Sequence, residues 1–532
     1  MNPEIIAAKR RQRRATPAVA DLVFSAGLTA GARRQLQRQV RGGALTRLAK
    51  GVYAPNASAE LTASLVQRNW QAIAAVLVPG GVVSHISALT SGLTSGLTSG
   101  LTSGLKSGLT SGLTSEPVAD GIVTLSHPTL FNKSIKLPGV TLVLLKGPGP
   151  LAGDLLLGHS GLHWASRARA ILENIGGKAK RRLNGAALEQ HLVDILNASG
   201  EPALNAVRDN AAGIAVPLEM ERELAVLQKL VSALLGTHSR GQLKTRNGQL
   251  VAIGMPVDRE RQMRLEKLAN YLRTANLPVL DAVAPDGLAR VHFAFIESYF
   301  SNFVEGTRFD IQQALGIALR NELVASRPKD SHDILGVFRL AQTTPYSNAP
   351  PPPGEEFLPA LRQWHAQMLS ERPEARPGEL KLEVNFAGST RFVEPAMVRG
   401  TFAACSPLAL SIPEGLARAI FYAFLVSEIH PFEDGNGRLS RLLMNAELSR
   451  VARCRIIIPT LYHPQYVDCA KQLSQNDQPE GFVRAIAKMA RWCAQFDYAG
   501  LPQLIGSLRA ANAFEESPAR FKLLNADGSN ET

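Results

Sequence analysis

The stretch "HPFEDGNGRLSR", His430 to Arg441, places a histidine, an acid, two glycines around an asparagine and two arginines within twelve residues. Histidine titrates near neutrality, so His430 suits proton abstraction. Asp434 is a hard oxygen donor of the kind that holds Mg2+ beside a nucleoside triphosphate. Gly435 and Gly437 let the backbone turn tightly and bring N–H groups close to a ligand, and a helix starting there adds its positive end, so "GNGR" reads as an anion site. Arg438 and Arg441, three apart, share a helix face from which both reach phosphate oxygens. Taken one at a time, these residues have ordinary roles as a helix end, a turn and a solvated stripe. Together they put a base, a metal carboxylate, an anion loop and two phosphate cations in one corner.

Two helices must build that corner. "EGLARAIFYAFLVSEIHPF" has helical apolar spacing and stops at His430, because Pro431 disfavours helix in the residue before it. "EDGNGR" is then a loop, and "RLSRLLMNAELSRVA" begins a second helix.

The string matches the Fic family signature H-x-F-x-D/E-G-N-G-R-x-x-R at His430, Phe432, Asp434, Gly435, Asn436, Gly437, Arg438 and Arg441. The resemblance runs from about Leu288 to Phe496 and includes "RIIIPTLYHPQY", Arg455 to Tyr466. It implies an all-helical domain that transfers AMP from ATP to a Tyr, Thr or Ser hydroxyl of a target protein or of itself. His430 would deprotonate that hydroxyl, Asp434 would bind Mg2+, and Phe432 would pack inward. Asn436 and the Gly435 to Gly437 backbone would hold the phosphates, with Arg438 and Arg441 on the β and γ groups. "SYFSNFVEGTRF" resembles the family's inhibitory motif at Ser301, Glu305 and Gly306, which implies that Glu305 pairs with Arg441 and blocks the γ phosphate. "GELKLEVNFAGSTRFVEPAMV", Gly378 to Val398, alternates like two strands around "AGST" and resembles the Fic flap, with "FVEP" where many relatives have two prolines after Phe-Val. Tyr462 and Tyr466 are adenosine-pocket candidates by position. Two alternatives stay open: a DNA-binding, antitoxin-like regulator whose Fic domain senses nucleotide, and a Fic enzyme that removes AMP or transfers another group.

The chain has 532 residues, 45% hydrophobic, with near-zero mean hydropathy, which fits two to four globular domains. Cys405, Cys454, Cys469 and Cys493 form no CxxC pair and no zinc spacing, which favours reduced thiols and a cytoplasmic location. No run of eighteen uninterrupted apolar residues predicts a membrane span, and the basic N-terminus lacks the apolar core of a signal peptide. The net charge is +13, and residues 1–50 hold eleven lysines and arginines against Glu4 and Asp21, so the excess is concentrated where it can act on a polyanion.

Within that region, residues 17–53 read as helix, helix and two-stranded hairpin, a winged helix-turn-helix order. Its second helix exposes Arg33, Arg34 and Arg38, and its wing carries Arg47 and Lys50, which makes these the candidate DNA contacts; a solvated basic face is the other reading. "RGGALTRLAKGVYAP" followed by "VVSHISAL" resembles the N-terminal region of AbiEi-type antitoxins, whose winged helix binds promoter DNA. From Leu89 to Ser115 the unit L-T-S-G repeats seven times, with Lys106 replacing one Thr and a truncated last copy; period and composition predict an irregular insertion rather than a helix. "GIVTLSHPTL" and "GVTLVLLKG" read as strands, Leu162 to about Ala275 as mainly helical, and "TTPYSNAPPPPGEE" as a loop between helices of the last domain. The expected fold is mainly α: a C-terminal all-helical Fic domain (276–500) with a small β-hairpin flap, preceded by an α+β winged-helix-containing N-terminal region. The latter divides into 1–60, an antitoxin-like α/β region 61–160 with the repeat, and a helical connection 161–275; 501–532 is a tail.

Overall fold

The structure, a computed structural model, describes residues 22–90, 121–157, 161–176 and 182–529. It divides into two compact units, residues 1–249 and 250–532. The basic string Lys9 to Arg14 and most of the LTSG repeat lie outside the described residues; Leu89 and Thr90 close the short helix His85–Thr90.

The first unit opens with β1 (Val23–Phe24), α1 (Ala30–Arg41), β2 (Leu45–Ala49) and β3 (Val52–Pro55), whose strands form an antiparallel sheet in the order β1-β3-β2. The sequence suggested a helix within 17–27; residues 17–21 lie outside the described residues, and over the rest Val23 pairs with Tyr53 and Gly27, at φ +76°, turns the chain ahead of α1. Thr29 caps α1, accepting from the Ala32 N–H. After α2 (Ala59–Leu77) come β4 (Val82–Val83), β5 (Ile122–His127), β6 (Lys133–Leu137), β7 (Val140–Lys146), β8 (Leu155–Leu157) and β9 (Leu162–Trp164), a mixed sheet in the order β6-β7-β5-β4-β9-β8. Leu162–Trp164, expected at the start of a helical region, is a strand because it adds to β4 in parallel register. Buried Arg169 on α3 (Arg167–Ile175) ties this unit together, donating to Asp154 at 2.6 Å and Glu173 at 2.9 Å. The helices Gly185–Leu218, bent at Gly200, and Glu221–Leu234 complete it.

Among the described residues the second unit is helical apart from loops, an isolated bridge between Asp281 and Arg453, and the hairpin β10 (Phe386–Ala387) and β11 (Thr390–Arg391), which turns at left-handed Gly388. The helices that matter for the site are α4 (Gly287–Phe303), α5 (Pro328–Gln342), α6 (Phe357–Met368), α7 (Leu416–Ile429), α8 (Asn436–Arg450), α9 (His463–Asn476), α10 (Pro479–Cys493) and α11 (Leu501–Ala510). α7 and α8 are buried on nearly every face, so they form the centre of the core rather than an amphipathic shell. The proline run 343–356 lies between α5 and α6, as its composition suggested. Two expected boundaries shift. The connection 161–275 is shared between the units, and α11, expected in a tail, buries Leu501, Leu504, Ile505 and Leu508 in the core.

Candidate active site

α7 ends at Ile429, and His430 takes a left-handed φ of +54°, donating its backbone N–H to Val426 at 2.9 Å. Its Nδ1 lies 3.1 Å from the Ser427 carbonyl. A carbonyl only accepts, so Nδ1 carries the proton and Nε2 keeps its lone pair. The ring lies flat on Phe392, centroids 3.8 Å apart and planes within 9°. Burial pushes the His430 pKa down to about 4, with the Ser427 bond opposing only in part. At neutral pH the imidazole is uncharged and ready to accept a proton.

The loop after it is held from inside. Phe432 is fully buried and stacks on His365 at 3.8 Å and 2°. The Phe432 N–H donates to Asn436 Oδ1 at 3.0 Å, and Asn436 Nδ2 returns a bond to the Phe432 carbonyl at 2.8 Å. The Asn436 side chain therefore closes the loop on itself, leaving the backbone to face a ligand. His365 accepts the Gly378 N–H at Nδ1 (2.9 Å) and donates from Nε2 to the Asp434 carbonyl (3.1 Å), which fixes its tautomer; burial holds its pKa at about 4. Gly435 precedes α8 at φ +77°, a conformation that favours glycine; an added Cβ would also stand 2.8 Å from Met368 Cε, the movable end of that side chain.

Two arginines rise from the first turns of α8. Arg441 donates through Nε to Ser301 Oγ (2.9 Å) and through Nη2 to the Ser301 carbonyl (3.0 Å) and Glu305 (2.7 Å). Burial pushes the Glu305 carboxyl up, but Arg441 more than offsets this and leaves its pKa below the usual range, so Glu305 is an anion. Its Oε1 lies where a Cβ on Gly437 would be 2.1 Å away, over the N-terminal turn of α8. Gly306, at φ +98°, lets the chain turn away directly after it. Arg438, 2% exposed, bonds Asp333 at 2.9 Å and Asp434 at 3.0 Å. Asp434 also accepts from the Gly435 N–H; burial raises its pKa, Arg438 and that bond lower it further, and the net shift is downward.

Residues 358–448 match the Fic/DOC family. This chain carries a Fic domain. Protein adenylyltransferase Fic of Culex quinquefasciatus is 29% identical over 241 residues, covering 43% of this chain and 46% of that one. The protein of the same name in Drosophila mojavensis is 50% identical over 60 residues, 11% and 12% of the two chains. The chain thus spans less than half the length of these curated relatives. The solved structure of Fic-1 from C. elegans is 16% identical, with a TM-score of 0.33, over 61% of this chain and 98% of that one.

The predicted His430, Phe432, Asp434, Gly435, Asn436, Gly437, Arg438 and Arg441, within the matched residues, share one corner with Ser301, Glu305 and Gly306, which lie ahead of them. Several residues that hold it escaped sequence reading: His365, Phe392, Asn385 (to the Phe432 carbonyl, 2.9 Å), Asp333 and Arg372 (to Asp333, 2.7 Å). Only Asn385 and Phe392 carried a local signal, their place in the flap-like stretch Gly378 to Val398. Tyr462 and Tyr466 are buried, 4% and 6% exposed. Among the described residues no group of three His, Cys, Asp or Glu could hold a metal ion; the Fic loop offers the half-exposed carboxylate of Asp434. Arg33, Arg34 and Arg38 on α1, Arg47 on β2 and Lys50 after it are all exposed and belong to the first unit. Among the described residues no helix is long and apolar enough to cross a membrane.

Proposed function

We propose that the Fic domain is a protein adenylyltransferase, moving AMP from ATP to a Tyr, Thr or Ser hydroxyl of a target protein or of itself, and that Glu305 restrains it. The observation that carries this is His430: neutral, oriented by Ser427, with Nε2 free beside a glycine-lined helix start. Nε2 takes the hydroxyl proton, the oxygen forms a bond to the α phosphorus, and the bond from that phosphorus to the bridging oxygen breaks, releasing pyrophosphate. The first amides of α8 and Arg438 favour the charge that builds on the phosphates. A single half-exposed carboxylate suits Mg2+ arriving on a nucleotide, since that ion keeps waters and phosphate oxygens as its other ligands. Asp434 would hold it, and the ion would neutralise phosphate charge. With Glu305 on Arg441 and over Gly437, a γ phosphate finds neither its cation nor its space.

Mass spectrometry of a lysate treated with the Glu305→Gly chain and ATP tests this, with His430→Ala as control. Proteins gaining the mass of AMP in the first and not the second are expected; no modified peptide in either overturns it.

A second activity rests on α1. At about 100° per residue, Arg33, Arg34, Arg38 and Arg41 fall within a sector of about 140°, away from buried Leu36. No Asp or Glu occurs from Leu22 to Ala59, so this face and the hairpin form an uncompensated basic surface. Its chemistry suits duplex DNA. Retained affinity of an Arg33→Ala, Arg38→Ala, Arg47→Ala chain for a promoter fragment would sink this reading.

A further inference from the structure

At the far end of α8, about 20 Å from Gly435 at 1.5 Å per residue, a second polar site is built from other arginines. Residues 280–282 pair with 452–454: Cys454 N–H reaches the Leu280 carbonyl at 2.9 Å and Ala282 N–H the Ala452 carbonyl at 3.2 Å. Beside this pairing lies a cavity of about 100 Å³ whose walls include Arg290, Phe293, Ser449, Arg453 and Arg455. That volume holds several waters or one tetrahedral oxyanion.

The charges around it do not cancel. Arg455 is 5% exposed, its guanidinium carbon 4.0 Å above the Phe293 ring. Among the described residues the guanidinium's only hydrogen bond is Nη2 to the Ala284 carbonyl at 3.4 Å, and it forms no ion pair. Arg290 donates to Ser347 Oγ at 2.6 Å and the Pro285 carbonyl at 3.3 Å, again with no carboxylate among the described residues. Arg453 pairs with Asp281 at 2.6 Å, but that side chain is 92% exposed at the mouth, where water screens it. The buried carboxyl whose field reaches Arg455 is Glu297; burial pushes its own pKa up to about 7, so at neutral pH it is only partly ionised. A buried cation with one long bond is costly unless an anion completes it.

We propose that this cleft binds a tetrahedral oxyanion, inorganic phosphate or the phosphate of a phosphomonoester, between Arg455, Arg290 and Arg453. Arg455 forms the floor, and the other two close on the anion from the rim. The full chain would be titrated calorimetrically with inorganic phosphate and with phenyl phosphate. Binding at about 1 mM or tighter is expected. Tighter binding of phenyl phosphate assigns the site to a monoester, and equal or weaker binding assigns it to the free ion. The rim variant Arg290→Gln, Arg453→Gln, which leaves the buried Arg455 stack in place, should lose at least about tenfold in affinity with an unchanged melting temperature. Arg441→Met, which disables the ATP corner, should leave phosphate affinity within about twofold. Arg455→Met should abolish binding wherever its circular dichroism matches wild type. Unchanged affinity in the rim variant, loss in Arg441→Met instead, or no heat up to about 10 mM phosphate overturns the proposal.

Discussion

At the scale of single residues, the corner is a set of protonation states fixed by neighbours. His430 is neutral because burial outweighs the acids near it, and its tautomer is set by Ser427. The neutral form is the base, so its contribution is present above the folded-state pKa of about 4 and lost as pH falls through it. kcat/KM should therefore show no acid limb near pH 6.5, where a free histidine titrates, and stay flat down to about pH 5. An inflection at 6.5 that follows His430 would contradict the assigned burial. His430→Ala should cost about 10²–10⁴ in kcat while leaving ATP binding near wild type.

At the scale of elements, the loop depends on two stacked pairs, His430 on Phe392 and His365 on Phe432, and on one glycine. Gly435→Ala forces a left-handed φ on a side chain that meets Met368, and should lower stability by about 1–3 kcal/mol in a denaturant titration. His365→Ala empties a buried ring site and frees the Asp434 carbonyl, so KM for ATP should rise well beyond any change in kcat. An unaltered KM would mean that the loop holds its shape without this histidine. The corner's own residues were legible in the sequence because helix, proline stop, glycine turn and arginine spacing are all local. His365, Asp333 and Arg372 were not, because each meets the loop or the helix after it across 62 to 105 residues of chain, and nothing in their local pattern distinguishes them from ordinary helix residues. Glu305 was legible only through resemblance; its partner Arg441 is 136 residues away. The strand Val23–Phe24 was misread for the opposite reason: local helical spacing there yields to pairing with Tyr53 across the sheet.

At the scale of the whole molecule, a unit with an exposed basic face and a unit with a nucleotide corner each have their own core. Six cations, Arg33, Arg34, Arg38, Arg41, Arg47 and Lys50, are exposed on α1 and the hairpin of the first. DNA affinity should fall with salt along a slope no steeper than about −5 in log K against log[salt], and shallower by about 1 for each cation removed from contact. The central claim is the transfer of AMP under the control of Glu305. It is tested most directly by incubating the wild-type, Glu305→Gly and His430→Ala chains with ATP labelled at the α or the γ phosphate and measuring protein-bound label. Label from the α position alone is expected, at least about tenfold higher in Glu305→Gly than in wild type and absent in His430→Ala. Label from the γ position, or equal α label in all three chains, would contradict it.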